Sequence, residues 1–101
     1  MRDEILRGIF LSFVRVHVLH HAAEGEIYGV EMIEELAHHG YTLGPGTVYP
    51  LLHSMERAGY LVCEKRTVDG KVRKYYRSTP EGREALAELR VKVKELIEEV
   101  L

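Results

Sequence analysis

A chain of 101 residues, 46% of them hydrophobic and 30% charged, has the size of one ordinary domain and leaves no room for a second. No apolar run reaches the roughly 18–20 residues that a membrane span requires, and a single cysteine, Cys63, excludes an internal disulfide framework. The formal net charge of −2 argues weakly against a nucleic-acid partner until the charge is divided along the chain. We therefore expect a soluble, cytoplasmic, single-domain protein with no membrane association.

Two helices are predicted in the N-terminal part of the chain. The first runs from about residue 3 to 23, and its apolar face combines residues at three- and four-residue steps: Ile5, Leu6, Ile9, Phe10, Phe13, Val14 and His17. The second runs from about residue 28 to 39, with acidic residues on its outer face. It is expected to end where Gly40 can adopt a left-handed conformation.

A third helix is predicted to begin after Gly44. Glycine is an acceptable N-cap, and Pro45 at the first helical position loses no hydrogen bond that the helix needs. Pro50 removes one backbone donor, which predicts a tightened or kinked first part of this helix. Gly59 closes it, after apolar residues at helical spacing: Val48, Leu51, Leu52 and Met55.

The pattern then changes to that of a β-hairpin, with strands at residues 60–67 and 72–78. The Asp-Gly pair at 69–70 favours a type I′ turn, because that turn needs positive φ at both central residues. This register places Arg66 opposite Arg73, and it places a second like-charged pair, Lys65 and Lys74, opposite each other.

Basic residues are concentrated on this hairpin. Residues 59–80 carry six Lys or Arg against two Asp or Glu, whereas the segments on either side are acidic. Like charges facing each other across a hairpin cost up to about 1 kcal/mol per pair, so folding alone gives no reason to keep them. A polyanion lying against the hairpin would remove the repulsion, which predicts phosphate contact. A solvated, charged hairpin without a partner is the alternative.

The last helix begins at Thr79-Pro80, with a capping hydroxyl and a proline at the first helical position. Five apolar residues then follow a 3-4-3-4 spacing that is typical of a coiled-coil seam: Leu86, Leu89, Val93, Leu96 and Val100. The seam could pack on the first helix of the same chain. A surplus of apolar helix faces in so small a domain favours a contact between two subunits, and we expect these five residues to mediate dimerisation.

Three helices, a basic hairpin and a final helix follow one another in the order of a winged helix-turn-helix. The predicted fold class is therefore mainly α with a small β-hairpin, a winged helix-turn-helix with an added C-terminal dimerisation helix. We expect residues 1–79 to form the DNA-binding part together with the N-terminal helix, and residues 80–101 to form the dimerisation helix, within one compact unit.

Four sequence blocks follow one another along the chain: Tyr-Gly-Val-Glu-Met-Ile at 28–33, Leu-Gly-Pro-Gly-Thr-Val-Tyr-Pro-Leu-Leu at 43–52, Met-Glu-Arg-Ala-Gly-Tyr-Leu at 55–61, and Arg-Lys-Tyr-Tyr-Arg-Ser-Thr-Pro-Glu-Gly-Arg at 73–83. In their order and spacing they closely resemble the blocks of the PadR family of bacterial and archaeal transcriptional regulators. The chain departs from the family pattern at Gly44, where a serine cap is frequent, and at Ser78, where a leucine is common. These departures concern helix capping and wing packing.

The resemblance implies a homodimeric repressor that binds a short inverted repeat in double-stranded DNA and releases it in response to a small-molecule effector or another signal. It places the third helix in a DNA groove and the hairpin wing on the backbone. The residues expected to contact DNA are Thr47, Tyr49, Pro50, His53, Arg57, Lys71, Arg73 and Lys74, with Lys65 and Arg66 as second-line candidates. Few of these side chains on the third helix are long and polar, so we expect DNA shape to supply part of the selectivity.

Some aromatic residues in these blocks have a structural alternative. Tyr49 could pack against the second helix instead of contacting DNA. Tyr75 and Tyr76 are adjacent in a strand and point to opposite faces, so one is expected in the core and the other outside it.

Three other function classes compete with DNA binding. His17 and His21 are one helical turn apart and could bind Zn²⁺, Ni²⁺ or Cu²⁺, which would make the protein a metal-responsive regulator. No cysteine or acidic ligand stands at tight spacing, and we expect no metal and no cofactor. No nucleophile triad, phosphate-binding loop or HExxH motif is present, so we expect no enzyme. A winged-helix module that binds only proteins is the remaining alternative.

Overall fold

The computed structural model describes residues 2–101, and it confirms a mainly α fold with a small β-hairpin. Seven elements follow one another along the chain: α1 (Arg2–Glu24), β1 (Ile27–Tyr28), α2 (Gly29–His38), α3 (Pro45–Arg57), β2 (Leu61–Val68), β3 (Lys71–Ser78) and α4 (Pro80–Val100). Within residues 2–101 no helix combines the length and the apolarity that crossing a membrane requires.

The helix boundaries follow the predicted capping signals. Gly44 is the N-cap of α3 in an extended conformation, with Pro45 at the first helical position. The Thr79 hydroxyl caps α4 by accepting a hydrogen bond from the Gly82 N–H at 3.0 Å. Gly40, just past the end of α2, has a φ of 90°, which confirms the left-handed conformation expected there.

The sheet has three antiparallel strands in the order β1-β3-β2. The hairpin has the predicted register, with Arg66 opposite Arg73 and Lys65 opposite Lys74. Its turn has positive φ at both central residues, 51° at residue 69 and 76° at residue 70. β1 was not predicted, because two residues are too short to show an alternating pattern; it pairs Ile27 with Tyr76 of β3.

One hydrophobic core joins the helices to the inner face of the sheet. Tyr76 is fully buried in it, as is Leu52 of α3, whereas Tyr75 is only half-buried on the opposite face. The expectation that these adjacent tyrosines divide between core and exterior is thus confirmed. The helices contribute most of the remaining buried side chains: Val14, Val18, Leu19, Ala22, Met32, Leu36, Val48, Leu51, Met55 and Leu86.

The apolar face of the first helix is buried only in its C-terminal half. Val14 is buried, but five apolar residues before it are exposed: Ile5, Leu6, Ile9, Phe10 and Phe13. A helix of 23 residues is roughly 35 Å long, which exceeds what a core of this size can cover. The C-terminal half of α1 therefore packs in the core, and the N-terminal half extends beyond it.

α4 shows the same division along its length. Leu86 is only 3% exposed and belongs to the core of its own chain, so its assignment to an intersubunit seam is wrong. Leu89 packs partly against the same core. Beyond it the apolar residues are exposed: Val91, Val93, Leu96, Ile97, Val100 and Leu101. We call residues 3–13 of α1 and residues 91–101, which are the end of α4 and its C-cap, the arms, and residues 14–90 the head.

Candidate nucleic-acid interface

α3 presents two different faces. Its apolar side is buried in the head through Val48, Leu51, Leu52 and Met55. The opposite side carries all the predicted contact residues of this helix. Pro50 and Arg57 are exposed there, and Thr47, Tyr49 and His53 are half-buried. The helix therefore offers a continuous outer surface held rigidly by the core beneath it.

Tyr49 also has a structural role that the sequence left open. Its ring lies directly over Gly29, the first residue of α2. A Cβ atom at Gly29 would overlap this ring and would stand only 2.6 Å from the phenolic oxygen. The glycine thus lets α2 and α3 approach closely through the tyrosine ring, as the packing alternative predicted. Because the ring is half-buried, one side of it still faces outward.

The hairpin, or wing, stands beside α3. Lys74 lies on the face of β3 that also carries Tyr76, and its Nζ is 3.4 Å from Nε2 of His53 on α3. A cleft of about 960 Å³ separates the wing tip from α3 and the start of α2. It is lined in part by Tyr49, His53, Lys71 and Lys74. The structure therefore brings predicted residues of the third helix and of the wing to one cleft.

Arg73 lies on the other face of β3 and also borders the cleft near the wing tip. Its guanidinium lies 4.4 Å from the centroid of the Tyr28 ring, and Tyr28 in turn meets Tyr75 edge-on at 5.6 Å. Arg66 covers the Tyr75 ring at 4.3 Å. Two arginines and two tyrosines thus form one cation–π group, which stiffens the wing base where β1 joins the hairpin.

Arg66 is paired with two carboxylates of its own chain. Its guanidinium donates two hydrogen bonds of 2.7 Å to the carboxylate of Glu26 and also pairs with Glu64. The hydrogen bond from Arg66 lowers the pKa of Glu26, so this carboxylate stays ionised at neutral pH. The positive charge of Arg66, which faces Arg73 across the hairpin, is therefore balanced by carboxylates of the same chain.

The Lys65 and Lys74 pair has no such compensation. Among residues 2–101 no ion pair involves Lys65, Lys71, Arg73 or Lys74. Lys65 and Lys74 face each other on the inner side of the wing, next to α3. The uncompensated positive charge therefore lies on the part of the wing that borders the cleft and its tip.

The predicted dimerisation residues lie apart from this cleft. Val93, Leu96 and Val100 are 40%, 50% and 64% exposed and continue along one side of α4. The sequence did not assign the exposed apolar residues of α1 to the same role. The length of the first helix could have indicated this role, because its apolar face is longer than one small core can cover.

Four of the six histidines gather at the junction of α1 and α2. His17 stacks on His39 with ring centroids 4.6 Å apart, and the donor atoms of His17, His21 and His39 lie within 4.8 Å of one another. Burial, reinforced by the neighbouring His39, His21 and His20, lowers the pKa of His17. The sequence indicated His17 and His21 through their spacing, but it contained no sign that His39 would join them.

Residues 18–88, well over half of the chain, match the family described as the transcriptional regulator PadR-like family. The chain belongs to this family. The match covers the end of α1, the helix-turn-helix, the wing and the start of α4, and it lies entirely within the head. The PadR-like resemblance found in the sequence blocks is thereby confirmed.

Individual relatives agree with this membership. Transcriptional regulator Rv3488 of Mycobacterium tuberculosis is 53% identical over 96 residues, which are 95% of this chain and 90% of the relative. A solved PadR-family transcriptional regulator from Eggerthella lenta is 33% identical, with a TM-score of 0.77 over 98% of this chain and 91% of its own. A PadR-like regulator from Bacillus cereus is 28% identical, with a TM-score of 0.79 over 96% and 92%.

These similarities confirm the winged helix fold and the function class. The protein is a PadR-family transcriptional regulator and therefore a DNA-binding protein, and membership of this family confirms the prediction that it is not an enzyme. Two functional features could not be predicted from the sequence. The first is Glu26, which neutralises Arg66 although it is 40 residues away in the chain and belongs to no recognisable pattern. The second is β1, which places Tyr28 beside Arg73 but is too short to be detected in the sequence.

Proposed function

We propose that this PadR-family regulator is a homodimeric repressor that binds an inverted-repeat operator and releases it in response to a small molecule or another signal. The observation that carries the proposal is the separation of two surfaces. A basic wing borders α3 on the head, and among residues 2–101 its three lysines take part in no ion pair. Exposed apolar residues continue along both arms. The first surface suits phosphates, and the second suits a second copy of the chain.

The arms support pairing of two chains. Five large apolar side chains of α1 and five of the α4 arm before its terminal residue are at least 37% exposed. Contiguous apolar surface of this kind is unusual on a monomer and is typical of an interface between subunits. The pairing residues of α4 are then Leu89, Val93, Leu96 and Val100, joined by the exposed residues of α1 and without Leu86. Two chains so joined would present two α3 helices to successive turns of a duplex.

Contacts with DNA would be divided between α3 and the wing. Thr47, Tyr49, Pro50, His53 and Arg57 on α3 face a groove, where base edges and phosphates are read. Lys71 and Lys74 neutralise phosphates from the wing, and Lys65 adds a charge beside them. Arg73, stacked on Tyr28 at the edge of the same cleft, adds a further contact with the backbone.

A groove beside the arms supports the effector part of the proposal. It measures about 950 Å³ and lies between α1, the end of α3 and α4, with Phe13, Val16, Met55, Leu89 and Val93 among its lining. A mainly apolar small molecule seated there would touch both the head and the arms. It would then change the separation of the two α3 helices, and DNA affinity would fall.

The wing is tested by removing two of its charges. Lys71→Ala combined with Lys74→Ala should weaken DNA binding and reduce the salt slope of log affinity by roughly 2, about one for each phosphate that the wing no longer neutralises. Arg83→Ala combined with Arg90→Ala removes the same charge from exposed positions of α4 and serves as the control. Fluorescence anisotropy over a range of salt concentrations measures both.

The operator and the dimer are tested together on the DNA upstream of the protein's own coding region. A salt-dependent footprint with two equal halves about one helical turn apart supports the proposal. Light scattering should report a dimer before DNA is added. A monomer, or no DNA shift even at low salt while a protein partner still binds, would favour the protein-interaction module instead.

A further inference from the structure

Two pairs of metal-binding side chains face each other where α1 meets the end of α2. His17 and His21 are one turn apart on α1, and Glu35 and His39 are one turn apart on α2 and its C-cap. The donor atoms of the three histidines lie within 4.8 Å of one another. Oε1 of Glu35 is 3.4 Å from Nε2 of His21 and 3.1 Å from Nε2 of His39. The three imidazoles therefore lie around one point, and the carboxylate of Glu35 contacts two of them.

The distances suit a tetrahedral ion. With metal–nitrogen bonds of about 2.0–2.1 Å, neighbouring ligand atoms of a tetrahedral zinc site are about 3.4 Å apart. The two contacts of Glu35 already have this separation. The histidines close to the same spacing by side-chain rotation, because His39 is exposed and its ring can turn without moving the core.

We propose that His17, His21, His39 and Glu35 bind one divalent transition-metal ion, with Zn²⁺ as the best fit to the donor set and Co²⁺ or Ni²⁺ as competitors. Imidazole nitrogens favour these ions over Mg²⁺ and Ca²⁺, which prefer oxygen ligands. The site goes beyond the proposed repressor function, because nothing in DNA binding or in chain pairing calls for it.

The ion would join two parts of the fold. Two ligands come from α1 and two from α2 with its C-cap, so a bound ion fixes the angle between α1 and the helix-turn-helix. Tyr41 meets the ring of His17 edge-on at 5.7 Å and Phe10 packs on Tyr41 at 6.4 Å, which gives the site an aromatic wall on one side. The four ligands converge only in the folded chain, and metal binding therefore stabilises it.

A second ligand set competes for His21. His20, His21 and Glu24 also lie close together, and His20 contacts Glu24 at 3.3 Å. All three come from α1, and adjacent helical residues such as His20 and His21 point in different directions. The set has three donors instead of four and cannot link two elements. The geometry therefore favours the site that includes His39.

Zinc binding by the full-length chain tests the proposal. The purification tag is removed, because a polyhistidine tag binds the same ions, and calorimetric titration with Zn²⁺ follows chelator treatment near neutral pH. We expect one ion per chain. His39→Ala and His17→Ala should each weaken binding more than about 100-fold, since even residues that only orient a metal ligand contribute 10–100-fold. His20→Ala and His38→Ala are matched controls and should bind Zn²⁺ like the unmodified chain.

Two further readouts keep the test decisive. Co²⁺ bound to the unmodified chain should give the intense visible absorption of a tetrahedral site, which His39→Ala should abolish. Zn²⁺ should raise the Tm of the unmodified chain and of His20→Ala but not that of His39→Ala, and circular dichroism establishes that each variant is folded. The proposal is overturned if the unmodified chain takes up no Zn²⁺. It is equally overturned if His20→Ala loses binding while His39→Ala keeps it.

Discussion

Large apolar side chains are mostly buried in the head of this protein and mostly exposed in its arms. The head covers them within one chain: Leu52, Leu36 and Val18 are inaccessible to solvent, and the inner face of the sheet closes over them with Tyr76. The arms leave theirs exposed, with Ile5 at 58% and Val100 at 64%. The helices that form the arms also contribute to the head, so the difference arises within α1 and within α4.

This division separates two tasks. A head that completes its own core can hold α3 and the wing in a fixed relation without a partner. Among residues 2–101, the arms leave most of their large apolar side chains exposed, and these side chains gain free energy by association. The family match ends close to the boundary between head and arm in α4. It therefore falls on the part of the chain that completes its own core.

The largest expected effect comes from comparing the same leucine-to-alanine substitution at two positions of α4, one in the head and one in the arm. Leu86→Ala opens a cavity in the head and should lower the free energy of unfolding by about 2–5 kcal/mol. Leu96→Ala removes the same atoms from a half-exposed position and should cost about 0.5 kcal/mol or less within a single chain. Urea unfolding of both variants measures the difference.

Protein concentration separates chain stability from association in this pair. The Leu86→Ala loss should be the same at low and high concentration, whereas Leu96→Ala should shift the monomer–dimer equilibrium seen by light scattering. Equal losses of stability from the two variants at every concentration would show that the α4 arm is covered within its own chain. The distinction between head and arms would then be wrong.

The junction between wing and α4 is expected to show the next largest effect. A Cβ atom on Gly82 would overlap the backbone carbonyl of Tyr60 and stand 2.6 Å from the Ser78 hydroxyl oxygen. Gly82→Ala should therefore cost about 1–3 kcal/mol, because backbone must move to admit the methyl group. In the first turn of α3, a methyl group at position 46 would meet nothing within 4 Å among residues 2–101 apart from its chain neighbours and the backbone of its own helix. Gly46→Ala should instead stabilise by up to about 1 kcal/mol. Thermal unfolding compares the two, and equal signs would contradict the crowding at Gly82.

The sequence predicted the head well because its signals are local. Capping at Thr79 and the left-handed Gly40 each depend on a few neighbouring residues, and the Asp-Gly turn alone set the register that opposes Lys65 to Lys74. The winged helix order followed from these signals. The resemblance to PadR regulators then supplied the functional expectation.

Two kinds of feature could not be predicted from the sequence: contacts between residues that are far apart in the chain, and the point along α1 and α4 where the hydrophobic core ends. Glu26 reaches Arg66 across 40 positions, and His39 reaches His17 across 22, so no spacing rule connects them. Periodicity identified the apolar face of α1 but could not indicate where the core would end along it. Leu86 was misassigned for the same reason, because apolar residues at three- and four-residue spacing give the same sequence pattern whether they face the core or a second subunit.

A smaller effect is expected from the cap that starts α4. The Thr79 hydroxyl accepts from the Gly82 N–H and donates to the Gly59 carbonyl oxygen at 2.6 Å, which ties α4 to the turn after α3. Thr79→Ala should lower the free energy of unfolding by about 1 kcal/mol. Thr79→Ser keeps the hydroxyl and should retain most of this stability in the same urea titration. A serine variant as unstable as the alanine variant would assign the effect to the absent methyl group.

The smallest expected effect has the opposite sign and concerns charge on the head. Glu26→Gln removes one of the two carboxylates that neutralise Arg66, so the wing gains positive charge and DNA affinity should rise, with a salt slope steeper by up to about 1. Glu24→Gln makes the same charge change two residues earlier, beside His20 on α1, and serves as the control. Fluorescence anisotropy at several salt concentrations distinguishes them. An equal gain from both variants would mean that net charge alone is responsible; a gain from Glu26→Gln only would show that the chain holds Arg66 away from phosphate and that the wing's affinity is set partly by its own carboxylates.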